Sequence, residues 1–383
     1  MEIKIKCRPQ DFVVEELCEL QAGPSKLPYA VYKLTKTGWS TVELLKKISS
    51  DLKIPFSCFA YAGRKDKHAV TTQFISIKGA KPVAVKTKDY SMEFYGFSGR
   101  PIGPGMISAN KFVLVVRDLD EAKIAMALKN IAEVKAGGFL NYFDDQRFGS
   151  YDAQAGFFGE KALKKHFNGA LKAYMSSVYI EETHSEKARK QKIFDSWGDW
   201  HRCLDLAGSD FERRAFDYLI KNPKDFLTPL KNIPADEVSL FFSAYQSFIW
   251  NECLRRLVKE KAGARCAVYP GVCGDYIFFS GDDYLLKLSF PMPAAKSVMP
   301  DVLSQKVYDL ILSEQGITRA MFNGLKIRTA FFKAHLRAAM VVPRDIVSQP
   351  GDDELYPGKQ KITLSFSLPR GSYATMLLKR LFV

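Results

Sequence analysis

The sequence predicts a two-domain protein of the α+β class, and four observations carry that prediction. Strand-like segments alternate with helical patterns over roughly the first 150 residues, longer helical patterns fill the middle of the chain, and strand-like segments return near its end. The length of 383 residues exceeds the usual size of one domain. We therefore expect one domain built on a sheet and a second domain that is mostly helical.

The first elements are two strands followed by a helix. Segments rich in Val, Ile and Tyr, "IKIKCRPQDFVVEEL" and "YAVYKLTKTG", predict the strands. Ser40 and Glu43 have the spacing of a capping box, and Pro55 ends the helical pattern that begins there. The apolar face predicted for this helix consists of Leu44, Leu45, Ile48 and Leu52.

Two further strands, "FSCFAY" and "VTTQFISI", flank the charged segment "AGRKDKHA". Turns in "GFSGRPIGPG" lead to the strand "KFVLVVRDL" and to a helix over about residues 120–135, which should end at Gly137 and Gly138. The predicted buried face of that helix consists of Ile124, Leu128, Ile131 and Val134. The segment "FLNYFDDQRFGSYD" follows it.

Helical patterns dominate from about residue 152 to 335. One of them, "SDFERRAFDYLIKN", has a capping-box spacing at Ser209 and Glu212, and "DEVSLFFSAYQSFIWNECLRRLVKEK" predicts a longer helix. The chain closes on the strands "RAAMVVPRDI" and "KITLSFSLPRG", with the turn-rich "SQPGDDELYPGKQ" between them, and on a short helix "YATMLLKRL". We expect this tail to complete the first sheet.

The chain is strongly basic, with 56 Lys and Arg against 42 Asp and Glu and a net charge of +14. The excess forms two stripes, with seven basic and two acidic residues from Lys78 to Arg117 and five basic and no acidic residues from Asn323 to Arg344. Such stripes attract polyanions, although a solvated basic surface on an ordinary enzyme has the same composition. An anionic membrane is the weaker alternative, because no basic segment is combined with a long apolar face.

Several classes of protein are disfavoured by what the sequence lacks. It has neither a long apolar run nor the charged-then-apolar order of a signal peptide, so we expect a cytosolic (cytoplasmic) protein without a membrane partner. The seven cysteines include no C-x-x-C pair and the five histidines lack zinc-ligand spacing, which predicts reduced thiols and no metal site. The sequence also lacks a phosphate-cradling glycine loop, so we expect no cofactor.

Asp66 is an unusual residue because it stands among basic side chains, between Lys65 and Lys67 and next to Arg64 and His68. One interpretation is a solvated turn with a surface salt bridge, worth under ~1 kcal/mol. The other is that the nearby cations keep the carboxylate ionised by lowering its pKa and also bind phosphates beside it. On the second interpretation, Asp66 is a candidate catalytic group in a setting that binds phosphates.

Five segments resemble the signatures of the TruD family of tRNA pseudouridine synthases, and the chain is identified as an archaeal-type member. "AGRKDKHAVTTQ" is similar to A-G-x-K-D-x-x-A-V-T, and "NYFDDQRFG" is similar to N-Y-F-G-x-Q-R-F-G. Three further matches keep the family's order: "DFVVEE", "SAYQSFIWN" and "LPRGSYATMLLKRL". Because these segments span almost the whole chain, the resemblance favours the catalytic interpretation of Asp66.

The resemblance implies a particular domain organisation. Residues 1–151 and 336–383 would form a discontinuous pseudouridine-synthase catalytic domain, with a mixed, largely antiparallel sheet flanked by helices. Residues 152–335 would form an inserted, mostly helical α/β domain, the TRUD domain of the family. The same resemblance implies that RNA binds between the two domains.

The resemblance also implies roles for single residues. It places the catalytic aspartate on Asp66, with Lys65 beside it as a substrate-binding residue. Asn141 and Phe143 fall on substrate-binding positions, where the phenylalanine stacks against the target base. Phe12 matches an aromatic residue near the family's active site. Core packing is the alternative role for both phenylalanines.

Arg147 is a candidate substrate contact through a phosphate, and pairing with Asp144 or Asp145 is the alternative. Asp144 departs from the family pattern, which often has glycine there. If that glycine permits a positive φ, an aspartate tolerates the conformation at modest cost. We therefore expect the loop to be kept.

The implied activity is the isomerisation of uridine to pseudouridine in tRNA, typically at uridine 13, by a monomer that needs no cofactor or metal. The uridine must be flipped out of its stack before its uracil can rotate, and aromatic stacking offsets part of that cost. Asp66 would attack C1′, attack C6 or help remove the C2′ proton, and the sequence leaves these routes open. Other RNAs remain possible substrates.

Two functions from other classes compete with this one. A non-catalytic RNA-binding protein or RNA chaperone would keep the basic surface but would have no use for the carboxylate of Asp66. An RNA methyltransferase would need a glycine-rich methyl-donor loop after a strand, and the sequence contains none.

Overall fold

The computed structural model describes the whole chain except residues 1–2, 21–22, 24–26, 180–181, 263–265, 280, 324, 326 and 328–331. It divides into two compact units: unit 1 is Met1–Phe139 with Val341–Val383, and unit 2 is Leu140–Met340. The sequence had predicted boundaries at 151/152 and 335/336. That division into a catalytic and an inserted domain stays a prediction. In unit 2, Tyr142 at the start of "NYFDDQRFG" donates from its hydroxyl to the Ile277 carbonyl (3.2 Å).

Unit 1 begins with seven strands and two helices. They are β1 (Phe12–Cys18), β2 (Tyr29–Thr37), α1 (Thr41–Asp51), β3 (Phe59–Tyr61), β4 (Val70–Lys78), β5 (Val85–Lys86), β6 (Tyr90–Ser98), β7 (Ile107–Leu119) and α2 (Glu121–Gly137).

Unit 2 is mostly helical, with nine helices and short strands among its described residues. Its strands are β8 (Phe139–Leu140, which contains the unit boundary), β9 (Tyr151–Asp152), β10 (Gly156–Phe157), β11 (Ala267–Tyr269), β12 (Tyr276–Phe278), β13 (Ser289–Pro291) and β14 (Leu336–Ala338). Its helices are α3 (Phe158–Leu163), α4 (Phe167–Ser176), α5 (His184–Asp195), α6 (Trp200–Asp205), α7 (Asp210–Lys221), α8 (Leu227–Lys231), α9 (Ala235–Ala262), α10 (Asp283–Lys287) and α11 (Val302–Glu314).

The tail then returns to unit 1. Its elements are β15 (Met340–Val341, which contains the second boundary), β16 (Arg344–Asp352), β17 (Gln360–Pro369) and α12 (Ala374–Leu381).

The sheet of unit 1 is mixed and mostly antiparallel, as the family resemblance implied. Its strand order is β16-β17-β7-β1-β4-β2-β6-β5, with β3 also paired to β4. The pair β1–β4 is parallel and the other pairs are antiparallel. The tail supplies two strands, because β17 pairs with β7 over almost its whole length. Part of the predicted turn "SQPGDDELYPGKQ" is strand, since β16 continues to Asp352 opposite Gln360.

Helix α1 covers one face of this sheet. Ser40 and Glu43 form the predicted capping box. The buried side of the helix packs on the inward side chains of β2, β4 and β6, which include Tyr32, Ile75 and Met92. Burial of these apolar side chains provides the driving force for this half of the unit.

Helix α2 ends where the sequence predicts, because Gly138 has φ +74° and a Cβ there would lie 2.7 Å from the Val341 carbonyl oxygen. One prediction on its buried face is wrong: Leu128 is 40% exposed, and Ala127 is buried in its place. The helix is tied to the end of the chain, since Asn130 Nδ2 donates to the carbonyl oxygens of Leu381 and Val383 (both 2.9 Å).

A buried ion-pair network joins the tail to the start of the sheet. The Arg117 guanidinium on β7 donates to Asp11, just before β1, through Nε (3.0 Å) and Nη2 (2.8 Å). It also donates to Asp353 (2.8 Å) and Glu354 (2.9 Å), which follow β16. These bonds to carboxylates raise the pKa of Arg117. Because a buried charge needs partners, the network fixes where β1 begins.

Unit 2 is organised around helix α9. Trp250 on this helix stacks on Phe290 with ring centroids 4.6 Å apart, and Gln246 Nε2 donates to the Pro293 carbonyl (2.7 Å). The predicted capping box of α7 is only half formed, because Glu212 accepts from the Gly208 N–H (2.6 Å) instead of the Ser209 N–H. Although α9 has 28 residues, no helix in the described ranges is apolar enough over sufficient length to cross a membrane.

Arg117→Met should destabilise unit 1 by about 3–5 kcal/mol, because it leaves buried carboxylates without their cation. Lys47→Met is the matched control, since Lys47 forms an exposed ion pair with Asp51 on α1 and its loss should cost under ~1 kcal/mol. Urea denaturation at constant pH measures both changes. Equal and small effects from the two variants would show that the network does not secure the tail.

Candidate active site

Asp66 lies in the loop that joins β3 to β4, and buried side chains hold the backbone of that loop. Thr41 Oγ1, at the start of α1, accepts from the Lys65 N–H and donates to Gln73 Oε1 on β4 (both 2.9 Å). Gln73 Nε2 in turn donates to the Gly63 carbonyl (3.2 Å). The loop therefore presents Asp66 from a fixed backbone.

The Asp66 carboxylate is held in its ionised form. Burial raises the pKa of Asp66, but a hydrogen bond and ion pair from Lys6 and a hydrogen bond from the His68 N–H (3.3 Å) outweigh it, so the pKa lies below its usual value. The side chain keeps 30% of its surface exposed. The Asp66 carboxylate is thus already ionised at neutral pH when a ligand binds.

The two lysines that flank Asp66 in sequence are engaged elsewhere. The Lys65 ammonium is 2.6 Å from the buried Glu16 carboxylate on β1 and donates to Asn110 Oδ1 (3.1 Å). Lys67 lies 3.5 Å from Glu43 on α1. The expectation that the flanking residues hold Asp66 ionised is confirmed only for His68, which lowers the pKa of Asp66 together with Lys6, whereas Lys65 and Lys67 pair elsewhere. Lys65 anchors the loop to β1, and substrate binding by Lys65 stays a prediction.

Phe12 supports the cation of this pair. The Lys6 ammonium lies 4.3 Å from the centroid of the Phe12 ring, close enough for a cation–π contact. The ring is 6% exposed and packs edge-on against Phe112 at 6.4 Å. Phe12 thus has a packing role that also places Lys6, and direct substrate contact stays a prediction.

The Asn141 side chain in unit 2 is used to hold a neighbouring strand. Its Nδ2 donates to the Ala338 carbonyl (3.0 Å), and its Oδ1 accepts from Arg337 (2.9 Å). The buried Arg337 guanidinium also donates to the Asn141 carbonyl (2.6 Å). Asn141 therefore has a structural role here, and its contact with substrate stays a prediction.

Phe143 is clamped by α9 and covered by a guanidinium. Asn251 accepts from the Phe143 N–H (2.9 Å) and donates to its carbonyl (2.8 Å). The Arg337 guanidinium lies 3.9 Å from the ring centroid, and Trp250 meets the ring edge-on at 5.6 Å. The matched segment "SAYQSFIWN" thus supports the "NYFDDQRFG" segment. Base stacking on Phe143 stays a prediction.

Arg147 also contacts α9, where its Nε donates to Ser247 Oγ (3.1 Å). Asp145 accepts from the Tyr276 hydroxyl (2.8 Å) and from the Val272 N–H (2.9 Å). Asp144 has φ −83°, so this position does not need the left-handed backbone that glycine would favour. The aspartate therefore costs the loop no backbone strain.

The basic stripes are only partly surface features. Arg117 and Arg337 are buried, with 3% and 9% exposure, in the contacts described above. The other six basic residues between 78 and 117 are exposed. In the second stripe Lys333 and Arg344 are exposed, while Lys326 and Arg328 lie outside the described residues. The exposed basic residues of the two stripes in unit 1 are therefore five lysines, Arg100 and Arg344.

Sequence reasoning missed Lys6 and Arg337. Lys6 lies six residues before Phe12, and only the packing of the chain before β1 brings it to a loop sixty residues away. Arg337 was counted as part of a surface stripe. One signal for it was available, since it stands in the strand-like segment "RAAMVVPRDI", whose apolar residues predict burial.

Comparison with known proteins gives the family. The family model described as tRNA pseudouridine synthase D (TruD) matches residues 1–381. A tRNA pseudouridine synthase D of Leptospira interrogans (serovar copenhageni) is 29% identical over 99% of this chain and 96% of its own. The probable tRNA pseudouridine synthase D 1 of Methanococcus maripaludis is 30% identical over 99% of both chains.

A solved structure agrees with the sequence matches. The crystal structure of the putative tRNA pseudouridine synthase D from Methanosarcina mazei superposes with a TM-score of 0.75 and 26% identity, covering 99% of this chain and 93% of that one. The chain therefore belongs to the TruD family of pseudouridine synthases, which are isomerases. This confirms the assignment made from the five segments and the predicted fold class.

Lys6→Met should move the acid limit of activity to higher pH. Without the Lys6 cation, burial raises the pKa of Asp66 and the carboxylate protonates sooner as the pH falls. The rate at neutral pH should also fall by ~10-fold or more. The pH profile of product formation measures both effects, with Lys4→Met as control because Lys4 pairs with Asp118 instead. An unchanged acid limb would contradict the role of Lys6.

Proposed function

We propose that this protein isomerises uridine to pseudouridine in tRNA and that Asp66 is the essential catalytic carboxylate. The observation that carries the proposal is the state of Asp66. It is a partly exposed carboxylate paired with Lys6, on a loop whose backbone is held by hydrogen bonds to Thr41 and Gln73. Family membership supplies the reaction class, and the resemblance of "AGRKDKHAVTTQ" to the family's signature supports Asp66 as the catalytic aspartate.

The reaction breaks the bond from C1′ to N1 of uridine and forms a bond from C1′ to C5. The hydrogen on C5 leaves as a proton and N1 gains one, so the reaction balances without an oxidant or a group donor. An ionised Asp66 serves each of the three routes: as a nucleophile at C1′ or C6, or as the base that removes the C2′ proton.

Lys6 has a definite part in each route. Its ammonium keeps Asp66 deprotonated before the reaction, and Phe12 keeps that ammonium in place. If Asp66 attacks carbon, its charge is lost, and Lys6 then stabilises the free carboxylate as it departs again. We propose that Phe143 contributes stacking to the flipped uracil, which offsets the cost of extrusion by ~1–3 kcal/mol.

We propose uridine 13 of tRNA as the target. The support is the family resemblance together with the exposed lysines and Arg100 of unit 1, which suit a phosphate backbone. Asn141 and Arg147 are proposed to contact the RNA from unit 2. Asn141 would do so while it holds its neighbouring strand, which makes its loss costly to folding as well as to binding.

Asp66→Asn should abolish the reaction and leave RNA binding intact. The substitution keeps the size of the side chain and removes its charge, so affinity for tRNA should be unchanged or slightly higher. Tritium placed on C5 of uridine must be released as product forms, and its release should fall by at least ~10³-fold. Wild-type protein should release it with a chelator present and no cofactor added.

Asp51→Asn is the matched control, because Asp51 is an exposed carboxylate on α1 in the same unit. A tRNA transcript with cytidine at position 13 tests the target, since it should release no tritium. Release by Asp66→Asn within tenfold of wild type would remove Asp66 from the chemistry. Normal release from the position-13 variant would refute only the choice of uridine.

A further inference from the structure

Lys36 is a fully buried lysine directly beneath the loop that carries Asp66. Its ammonium donates to the Asp66 carbonyl (2.8 Å) and to the Trp39 carbonyl (2.6 Å), and it lies 3.5 Å from the Lys65 carbonyl. The side chain is 0% exposed. It therefore contacts the backbone of the catalytic segment and has no exposed surface for RNA.

A lysine is unexpected at this position. On β2 the inward positions before it are Ala30, Tyr32 and Leu34, all buried in the apolar core beneath α1. Lys36 continues that face, because side chains alternate along a strand. Burial of an ammonium costs free energy unless its donors are satisfied, and here the acceptors are backbone carbonyls of the loop and of the approach to α1.

We propose that Lys36 is a positioning residue for the reaction: its N–H groups hold the backbone at Asp66 from below, and full activity requires the protonated side chain. This inference rests on the proposed function of Asp66. A hydrogen bond to the carbonyl of the catalytic residue itself fixes where its carboxylate starts, and a displacement of about 1 Å at a reacting group lowers rates by ~10²-fold.

Lys36 loses its charge within the pH range in which the enzyme can be assayed. Burial lowers the pKa of Lys36 to about 8, with Asp66 raising it and Lys65 lowering it. Its neighbours across the strands are Thr71 on β4 and Tyr90 on β6, so neither a carboxylate nor another ammonium stands opposite Lys36 in the sheet. Above this pKa the neutral amine has one donor fewer and turns a lone pair toward carbonyl oxygens. The loop then loses part of its support.

The stability contributed by Lys36 should rise with pH, whereas activity should fall. The pKa of Lys36 in the folded protein, about 8, lies below the ordinary value of 10.5, so the unfolded chain binds more protons between these two values. The contribution of Lys36 to stability therefore rises with pH across that window. Titration of Lys36 makes the folded protein more stable above about pH 8, so unfolding caused by this titration cannot explain a loss of activity there. An alkaline loss of activity therefore indicates lost positioning and not general destabilisation.

Two variants of Lys36 and one control test the proposal. Lys36→Met removes every donor and nearly keeps the length, whereas Lys36→Gln keeps two N–H donors and has no proton to lose. Lys33→Met is the control on the same strand, where Lys33 is partly exposed and pairs with Glu15. Tritium release under saturating and limiting tRNA, from about pH 6.5 to about pH 9.5, gives kcat, KM and their pH dependence.

Wild-type kcat should fall with a single-proton limb near pH 8. Lys36→Met should lower kcat at neutral pH by ~10- to 10²-fold and change KM by less than about twofold. Lys36→Gln should retain more activity than Lys36→Met and lack the alkaline limb. Lys33→Met should match wild type in kcat and in its pH profile.

Three results would overturn the inference: the same alkaline limb in Lys36→Gln as in wild type, no limb near pH 8 in wild type, or wild-type kcat in folded Lys36→Met. Wild type and Lys36→Gln decide the question even where Lys36→Met does not fold. Asp66→Asn, assayed in parallel, separates the two claims. Full activity in Asp66→Asn would refute the catalytic role of Asp66. If Asp66→Asn is inactive but wild type shows no alkaline limb that depends on Lys36, only the positioning role of Lys36 is refuted.

Discussion

The ion pair between Lys6 and Asp66 is the constraint to which the surrounding structure conforms. A partly buried carboxylate stays ionised only when a cation compensates for lost hydration, and here the cation comes from the segment before β1. That segment must therefore be placed accurately. The Arg117 network places that segment by binding Asp11 at the start of β1, and the Lys6 ammonium then packs on the ring of the next residue, Phe12. Buried ion pairs in the sheet thus help to keep the partly exposed Asp66 carboxylate ionised.

The parallel pairing of β1 and β4 has a direct consequence for the same site. It places Glu16 of β1 alongside the middle of β4, where Glu16 accepts from the Phe74 N–H (3.2 Å). The same carboxylate pairs with the Lys65 ammonium of the loop before β4 (2.6 Å). Lys65 and Asp66 are adjacent in sequence yet pair with different partners. The loop is consequently held by its lysine from β1 and by Lys36 from β2, which leaves the carboxylate of Asp66 for Lys6 and a ligand.

Local sequence patterns predicted much of the fold. The α+β class, the capping box of α1 and the end of α2 at Gly138 are confirmed, and the last two depend only on neighbours a few residues apart. The mostly antiparallel sheet, which the family resemblance implied, is confirmed as well. Leu128 was placed in the core wrongly, since helical spacing allows either side of the stripe to face the sheet. Lys36 shows what a strand pattern cannot predict. Alternation along β2 points it inward, but only the packed loop reveals what its ammonium binds.

Long-range electrostatic contacts were the part that sequence could not supply. Lysines next to Asp66 were taken as its cations, whereas the contact comes from Lys6, far away along the chain. The buried arginines Arg117 and Arg337 were counted as surface charge for the same reason. In each case the partner depends on which strands lie side by side, and no local pattern encodes that neighbourhood. The candidate catalytic residue itself needed only its motif.

The most direct test of this account is the pKa of Asp66 in the folded protein. Carbon-13 NMR of its side-chain carboxyl across an acid titration measures it, with Asp66→Asn providing the assignment. The midpoint should lie below the ordinary value of 3.8, because the contacts from Lys6 and the His68 N–H outweigh burial. A midpoint at or above that value would show that burial prevails, and would contradict the claim that the structure keeps this carboxylate ionised.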